Sequence, residues 1–591
     1  MANYTELKQY QIIIALLKAY GIRHCVLSAG ARNVPFVHSV EQDSYFRCYS
    51  VVDERSAGYF ALGLSQQIQE PVVISCTSST ATCNYYPAVA EAFYQGVPLV
   101  VLTSDRNPAM LGQWEDQMID QVGMFDRHVK KSVNLPIINS VDDLWHCQRL
   151  VNEALLELDH HGHGPVHINI PMTNYSSSFT CKTLPNVTRI RRIDTFSSEE
   201  YWNEKIRMLK DCRRILVVCG QNSFVSPKLK SQLETFFHRF NTAVCVDHMS
   251  NITCADAINS SVFLDPRYLA PNFFKELLPQ IVISFGGNVF SGIKSSLRTY
   301  AGKFEHWSIM EDGRVCDMYK SLTTIIECPP EYFFARCNDY AGASAKNDNV
   351  YHDLLQSCAE KVILPEFGWS NIYAIGEVVT RIPSGSVINM SINSAIRITN
   401  FFKLKDDIRI YANIGTYGID GCLSSLVGQS AATESLSFMI IGDLAFFYDM
   451  NVMRIRHIGS NVRILMLNNH GGEEFYYNKL RLDDAGDLHT TARHDTKAEG
   501  WVRECGFTYL AAHDKEEFDS NIDAFMNSDS DRPVFFEVFT EMSTDSQAIY
   551  DFYDLSRPKN LYSEMLRAGQ TFVKSKIGQD TATKIINLLK K

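Results

Sequence analysis

The stretch IIGDLAFFYDMNVMRIRHIGSNVRILMLNNHGG, residues 440–472, decides the reading of this chain. It joins two apolar, β-rich runs, SFMII and VRILMLNN. The first stops at Gly442 and Asp443, the second at Asn468 and Asn469. The segment between them, FYDMNVMRIRHIG, carries a helical pattern, so the stretch predicts two parallel strands joined by a crossover helix. In open parallel sheets ligands bind beyond the carboxyl ends of the strands. That places Asp443 and Asn469 at one binding edge. A carboxylate, an amide oxygen and the carbonyls of a turn are hard donors, the set that Mg²⁺ takes together with phosphate oxygens and water. The Gly471–Gly472 pair lets backbone approach a ligand closely. Spacing alone gives equal weight to a plainer reading, an acid and an Asn-Asn pair in unrelated strand-end turns.

Outward from this stretch, the same alternation of short β-rich runs and helical patterns recurs. HCVLSAG, PVVISCTSS, PLVVLTSD and PVHINIP mark a first region. RILVVCG, TAVCVDH and QIVISFGG mark a second. GSVINMS, RIYANIG, SFMIIGD, VRILMLNN and PVFFEVF mark a third. The expectation is an α/β protein of three doubly wound parallel-sheet domains, over 1–185, 195–345 and 355–560, with polar linkers near 181–200 and 339–353. A helical extension over 561–591 is expected to pack through the amphipathic segment TATKIINLLKK. The length of 591 residues calls for more than one core. The formal charge of -11 excludes a polyanion as main partner, so no nucleic acid is expected. The 16 cysteines lack any C-x-x-C pair and read as reduced thiols of a cytoplasmic protein. The start MANYTELKQYQIIIALLKAYG lacks a basic signal-peptide head, and no apolar run reaches membrane-spanning length, so no membrane association is expected.

The order GD…NN-x-GG resembles the signature of thiamine diphosphate (ThDP) enzymes, in which the Asp and an Asn hold the metal. SVVDERSAGYFALGLS (50–65) supplies the glutamate that such enzymes carry in their other α/β domain. The resemblance implies that Glu54 bonds the aminopyrimidine of ThDP and relays the proton needed for deprotonation at the thiazolium C2. By itself Glu54 reads as a capping acid at a helix start. Further segments are similar to one subfamily, the 2-succinyl-5-enolpyruvyl-6-hydroxy-3-cyclohexene-1-carboxylate synthases of menaquinone biosynthesis. SAGARNVPF resembles its SPGSR-x-x-P. TSSTATCNYYPAVAEA, LTSDRNP, DQMIDQVGMF, GPVHINIP, YANIGTYGIDG and GDLAFFYDMN follow in order.

The resemblance implies a fold of the ThDP-dependent decarboxylase type. Its activity would be ThDP- and Mg²⁺-dependent decarboxylation of a 2-oxo acid, with carbon–carbon ligation to an acceptor. It implies a homodimer or homotetramer, because in this superfamily one cofactor bridges the two binding domains across subunits. Arg32, Arg106 and Gln117 match positions that face the substrates, and Arg397 matches an arginine that grips the donor carboxylate. Ile419 matches the apolar wedge that bends ThDP into its reactive shape. Phe475 matches an apolar wall. Asn393, Gly442 and Leu444 match further cofactor-binding positions, and Asp443, Asn469 and Gly471 the metal ligands. For each arginine the plainer reading is an ordinary ion pair; bidentate grip on carboxylates favours function.

Several positions depart from the family pattern. Ala31 replaces a serine, Ile414 an arginine, Ile293–Lys294 a Lys-Arg pair, Glu474 an apolar residue, and Asn393 a serine. The family's substrates, 2-oxoglutarate and isochorismate, are polyanions, and a carboxylate desolvated without its partner loses several kcal/mol of binding. The cofactor machinery is therefore kept and the acceptor pocket altered. A simple 2-oxo acid decarboxylase and a non-catalytic ThDP-binding module are the alternatives. A flavin or nicotinamide oxidoreductase is a third, but SFGGNVFSG in the middle region lacks G-x-G-x-x-G. The histidines of DHHGHGPVH (159–167) lie too close together for a usual zinc spacing, so no zinc site is expected there.

Overall fold

The computed structural model describes residues 3–173, 178–269, 271–290, 292–477 and 487–556. The helical extension expected over 561–591 lies outside the described residues. The chain clusters into two compact units, one of residues 1–196 with 312–327, the other of residues 197–311 with 328–591.

In the first unit, β1 (His24–Leu27), β2 (Arg47–Ser50), β3 (Val72–Cys76), β4 (Leu99–Asp105), β5 (Lys131–Asn134) and β6 (Val166–Pro171) form a parallel sheet. Its order is β2-β1-β3-β4-β6-β5. The inner strands β1, β3, β4 and β6 are buried along their whole length, as strands covered on both faces must be. The edge strands β2 and β5 have exposed residues and polar sequences, RCYS and KSVN. The helices Glu54–Ile68 and Thr80–Gln95 approach closely, since a Cβ at Gly58 would stand 2.7 Å from the Cβ of Ala88. The same unit holds a parallel pair, β7 (Arg191–Asp194) with β13 (Leu322–Glu327). β7 lies inside the segment expected to be linker.

The second unit carries two further parallel sheets. In one, β8 (Ile215–Cys219), β9 (Thr242–Val246), β10 (Ala257–Asn259), β11 (Ile281–Phe285) and β12 (Glu305–Ile309) run β10-β9-β8-β11-β12. In the other, β14 (Val387–Met390), β15 (Arg409–Ala412), β16 (Ser437–Gly442), β17 (Val462–Asn468), β18 (Thr508–Ala512) and β19 (Val534–Phe539) run β15-β14-β16-β17-β19-β18. The three parallel-sheet α/β regions expected from the sequence are thus present. The glycines of SFGGNVFSG serve backbone packing. A Cβ at Gly220, after β8, would fall 2.1 Å from the carbonyl oxygen of Gly287, and the two loops exchange hydrogen bonds through Gln221.

The crossover segment after β16 differs from its expected form. Its helix is short, Asp443–Asp449, and continues as a 3₁₀ turn, Met450–Arg454. Asp443 is the first residue of that helix, where a carboxylate is favoured by the exposed N–H groups of the first turn.

Candidate active site

In the last sheet the chain leaves β14 toward β15 on one side, then returns to β16 on the other. The switch therefore falls between β14 and β16, the place where such sheets open a crevice at their carboxyl ends. A cavity of about 370 Å³ lies there. It is lined by Ser391–Ala395 after β14, by Ile419, by Gly442–Ala445 after β16, and by Leu467, Asn469 and Gly471–Phe475 at the end of β17. Every residue of the last sheet matched above to cofactor or metal binding (Asn393, Ile419, Gly442, Asp443, Leu444, Asn469, Gly471 and Phe475) lines this one cavity.

The local geometry follows from the turns. Gly442 and Leu467 are register partners, so Asp443 and Asn469 leave adjacent strands almost level. Asp443 is buried, and its Oδ2 accepts the backbone N–H of Gly471 at 2.9 Å. Its Oδ1 accepts the N–H of Leu444 at 2.6 Å. Gly471 has φ +147°, and a Cβ there would meet the carbonyl oxygen of Thr491 at 2.6 Å. Only glycine fits. The amide nitrogen of Asn469 donates to Asp545 Oδ2 at 3.1 Å and faces Glu473 Oε2 at 3.4 Å. Its Oδ1 is then the atom it offers to a cation. Asp443, Asn469 and the backbone of Gly471 together make a hard oxygen-rich set.

Three residues that sequence reasoning missed support this set. Asp545, on the helix Met542–Ser556, is fully buried and accepts from Thr540 Oγ1 at 2.6 Å and from the N–H of Asn371 at 2.8 Å. Glu473, also buried, accepts from Ser394 Oγ at 2.6 Å and Asn371 Nδ2 at 2.9 Å. Burial pushes the Glu473 carboxyl well up, with the charge of Asp545 adding to it. Burial likewise pushes Asp545 up. His494 Nε2 stands 3.3 Å from Asp443 Oδ2, and the neighbouring carboxylate raises the imidazole above its ordinary value. Glu473 Oε1 and Asn371 Oδ1, both on cavity-lining residues, are buried with no hydrogen-bond partner among the described residues. Unsatisfied buried oxygens of this kind mark a place built for further donors or a cation.

The first unit brings together the other matched residues. Arg32 follows β1 and is buried; its Nη1 donates to Gln117 Oε1 at 2.8 Å. Gln117 is fixed in turn by Ser78, whose hydroxyl donates to its carbonyl at 2.9 Å. Arg106 follows β4 and pairs through Nη1 with Glu115. Arg32, Arg106 and Glu115 line a cavity of about 300 Å³ with Asn107, Met110, Met172 and Thr173. Glu115 is the residue here that sequence reasoning did not find. Glu54 opens the helix Glu54–Ile68 behind the cap of Asp53, whose Oδ1 accepts the N–H of Arg55 at 3.0 Å. Burial pushes the hydroxyl of Tyr85 up, and the Cys76 thiol and the Glu54 carboxylate add to it.

Arg397 lies on the helix Ser394–Thr399 beside the larger cavity without lining it. Its charge opposes the burial that raises Glu473 and Tyr417. Among the departures, Ile414 is fully buried, and its carbonyl accepts from Asn288 Nδ2 at 3.1 Å. Ile293 is buried, while Lys294 Nζ donates to Asn288 Oδ1 at 2.6 Å. Glu474 lines the larger cavity.

Sheet order, a crevice at the switch point, and a buried Asp-Asn-Gly donor set define the class. Residues 7–124 match the family model described as "Thiamine pyrophosphate enzyme, N-terminal TPP binding domain". Similar curated proteins carry one name, "2-succinyl-5-enolpyruvyl-6-hydroxy-3-cyclohexene-1-carboxylate synthase". That of Bacteroides thetaiotaomicron is 38% identical over 566 residues, covering 94% of this chain and 100% of that protein. That of Phocaeicola vulgatus is 36% identical over 562 residues, with 94% and 100% covered. That of Flavobacterium johnsoniae is 30% identical over 546 residues, with 91% and 97% covered. The chain belongs to this synthase family of ThDP enzymes.

Proposed function

We propose that this protein is a ThDP- and Mg²⁺-dependent carboligase that decarboxylates a 2-oxo acid and joins the remaining acyl carbon to an acceptor. The observation that carries this reading is the convergence of Asp443, Asn469 and Gly471 on one buried cavity at the topological switch point. Those residues would hold Mg²⁺ and, through it, the diphosphate. Bound ThDP supplies the electron sink that makes loss of CO₂ from a 2-oxo acid feasible. The protein's own contributions are positional and electrostatic. Ile419 is half-buried against the apolar core of the last sheet, so it can act as a firm wedge. Glu54 holds and moves a proton at the aminopyrimidine. Arg32, Arg106 and Arg397 grip carboxylates, Arg106 with part of its charge offset by Glu115.

The acceptor differs from the one the family joins. Glu474 brings a carboxylate to the cavity wall, and Ile414, which the resemblance sets against an arginine of the family, is fully buried and does not line that cavity. An acceptor carrying fewer carboxylates than isochorismate, with hydroxyl groups able to donate to Glu474, suits such a wall. The test is to incubate the pure enzyme with ThDP, Mg²⁺, 2-oxoglutarate and isochorismate and follow isochorismate absorbance. Slow consumption is expected. Turnover with kcat/KM of about 10⁴ M⁻¹s⁻¹ or more, the usual enzymatic range, would restore the family's own acceptor.

The assembly is a homodimer or homotetramer. Around the helix that begins at Glu54, Val52 (82% exposed), Phe60 (44%) and Tyr94 (78%) present apolar surface of the kind a second copy covers. Light scattering should report an oligomer, and a fully active monomer would contradict it.

A further inference from the structure

The loop after the helix Val141–Leu156 gathers a second constellation of metal-binding side chains, remote in sequence from everything used above. His160 Nε2 lies 2.9 Å from Glu327 Oε2, and His161 Nε2 lies 2.9 Å from Glu327 Oε1. The donor atoms of His160, His161 and Glu327 all lie within 4.8 Å of one another. The other ring nitrogen of His160, Nδ1, faces Glu157 Oε2 at 2.9 Å. A histidine spacing judged too tight for zinc is thus completed by a carboxylate from the end of β13, which no local pattern could supply.

The loop is held in this form from several sides. His161 has φ +52°, a left-handed conformation that brings its ring beside that of His160, with centroids 4.0 Å apart. Lys130 Nζ bonds the carbonyls of His160 and Gly162. Glu327 is nearly buried and packs on Gly313, where a Cβ would fall 2.3 Å from Oε2. Arg192 Nη2 donates to Glu157 Oε1 and to the carbonyl of Gly313, both at 2.9 Å. Its Nε approaches Glu327 Oε2 at 3.5 Å.

His160 stands between two carboxylates, one on each ring nitrogen. A neutral imidazole carries only one N–H, so its second nitrogen would set a lone pair against a carboxylate lone pair. The carboxylates of Glu157 and Glu327 face Arg192, with Lys130 held on the carbonyls of the same loop. A cation between His160 Nε2, His161 Nε2 and Glu327 removes the lone-pair conflict at His160. Glu157 would then hold the Nδ1–H of His160 and fix its ring, the outer-shell support that metal-bound histidines usually have.

We propose that His160, His161 and Glu327 form a metal site for Zn²⁺ or a similar borderline cation, supported by Glu157. Two imidazoles and one carboxylate suit Zn²⁺, Co²⁺ or Ni²⁺ better than Mg²⁺ or Ca²⁺, which prefer all-oxygen sets. In a tetrahedral zinc site with bonds of about 2.1 Å, neighbouring donors stand roughly 3.4 Å apart. Two of the observed separations are 2.9 Å and all lie within 4.8 Å, so small side-chain rotations admit the ion. The exposed ring of His161 leaves the fourth position to water. The ion would clip the 157–161 loop to the end of β13 within the first unit.

The test titrates Zn²⁺ into full-length protein loaded with ThDP and Mg²⁺, against a chromophoric chelator, and repeats the binding with Co²⁺ to read its spectrum. One equivalent should bind, with visible Co²⁺ bands of nitrogen and oxygen ligation. Binding should weaken at least tenfold in His161→Ala, an exposed loop position, and in Glu327→Gln. Glu157→Gln should cost about 10–100-fold, as loss of outer-shell partners does. Three results would overturn the site: no stoichiometric binding by the wild type, thiolate charge-transfer bands, or affinity unchanged in His161→Ala or in Glu327→Gln. The first would leave a proton on His160 as the balancing charge.

Discussion

Replacing Asp443 by alanine will abolish ThDP binding, measured by calorimetry in the presence of Mg²⁺. In this structure the carboxylate accepts the N–H of Gly471 and stands 3.3 Å from His494 Nε2. Under the proposed function it would also offer a charged oxygen to Mg²⁺. A diphosphate brings several negative charges into a pocket already lined by Glu473 and Glu474, with Asp545 buried behind Asn469. Without a firmly held Mg²⁺, desolvation and like-charge repulsion oppose binding by several kcal/mol. The residual Asn469 and Gly471 donors are uncharged and cannot make up the loss. The apo variant should keep its fold, since Asp443 sits at a helix start rather than in the apolar core. Unchanged affinity in Asp443→Ala would remove it from the site.

Replacing Glu54 by glutamine will slow turnover by about 10²–10⁴-fold, the usual contribution of a positioned general acid–base group. Glutamine keeps the size and a hydrogen bond but carries no transferable proton. The helix start stays capped, because the cap is Asp53, whose carboxylate receives the N–H groups of Arg55 and Ser56. ThDP affinity should therefore fall little while kcat collapses. Hydrogen–deuterium exchange at the cofactor's C2 reads the same step directly and should slow in parallel. Wild-type turnover in Glu54→Gln would exclude it from proton relay.

How much of this was legible follows from where each residue sits. The inner strands are buried on both faces, so VVISC, LVVLTSD and SFMIIG stand out by their cores of three or four consecutive apolar residues. The strands β2, β5 and β18 were not legible, since edge or partly exposed strands such as RCYS, KSVN and TYLAA carry no such run. Asp443, Asn469 and Gly471 could be found because their positions at strand ends follow from local sequence. Asp545 could not, because its link to Asn469 spans 76 residues. Glu473 and Glu474 follow the Gly-Gly turn as two acids at a helix start, a pattern that reads as ordinary N-terminal acids. Sequence pointed to Glu474 as the departure. Packing shows that its neighbour Glu473 is the buried one, bonded by Ser394 and Asn371. His494 and Glu115 likewise acquire their roles only when folding sets them against Asp443 and Arg106.

If the Asp443 cavity holds ThDP and Mg²⁺ for decarboxylation of a 2-oxo acid, the reaction is read in CO₂ release from 2-oxoglutarate by the purified wild type and by Asp443→Ala, with and without ThDP and Mg²⁺. Release is predicted from the wild type only when both are supplied, and from Asp443→Ala under no condition. Release independent of ThDP, or equal in the two proteins, would contradict the account.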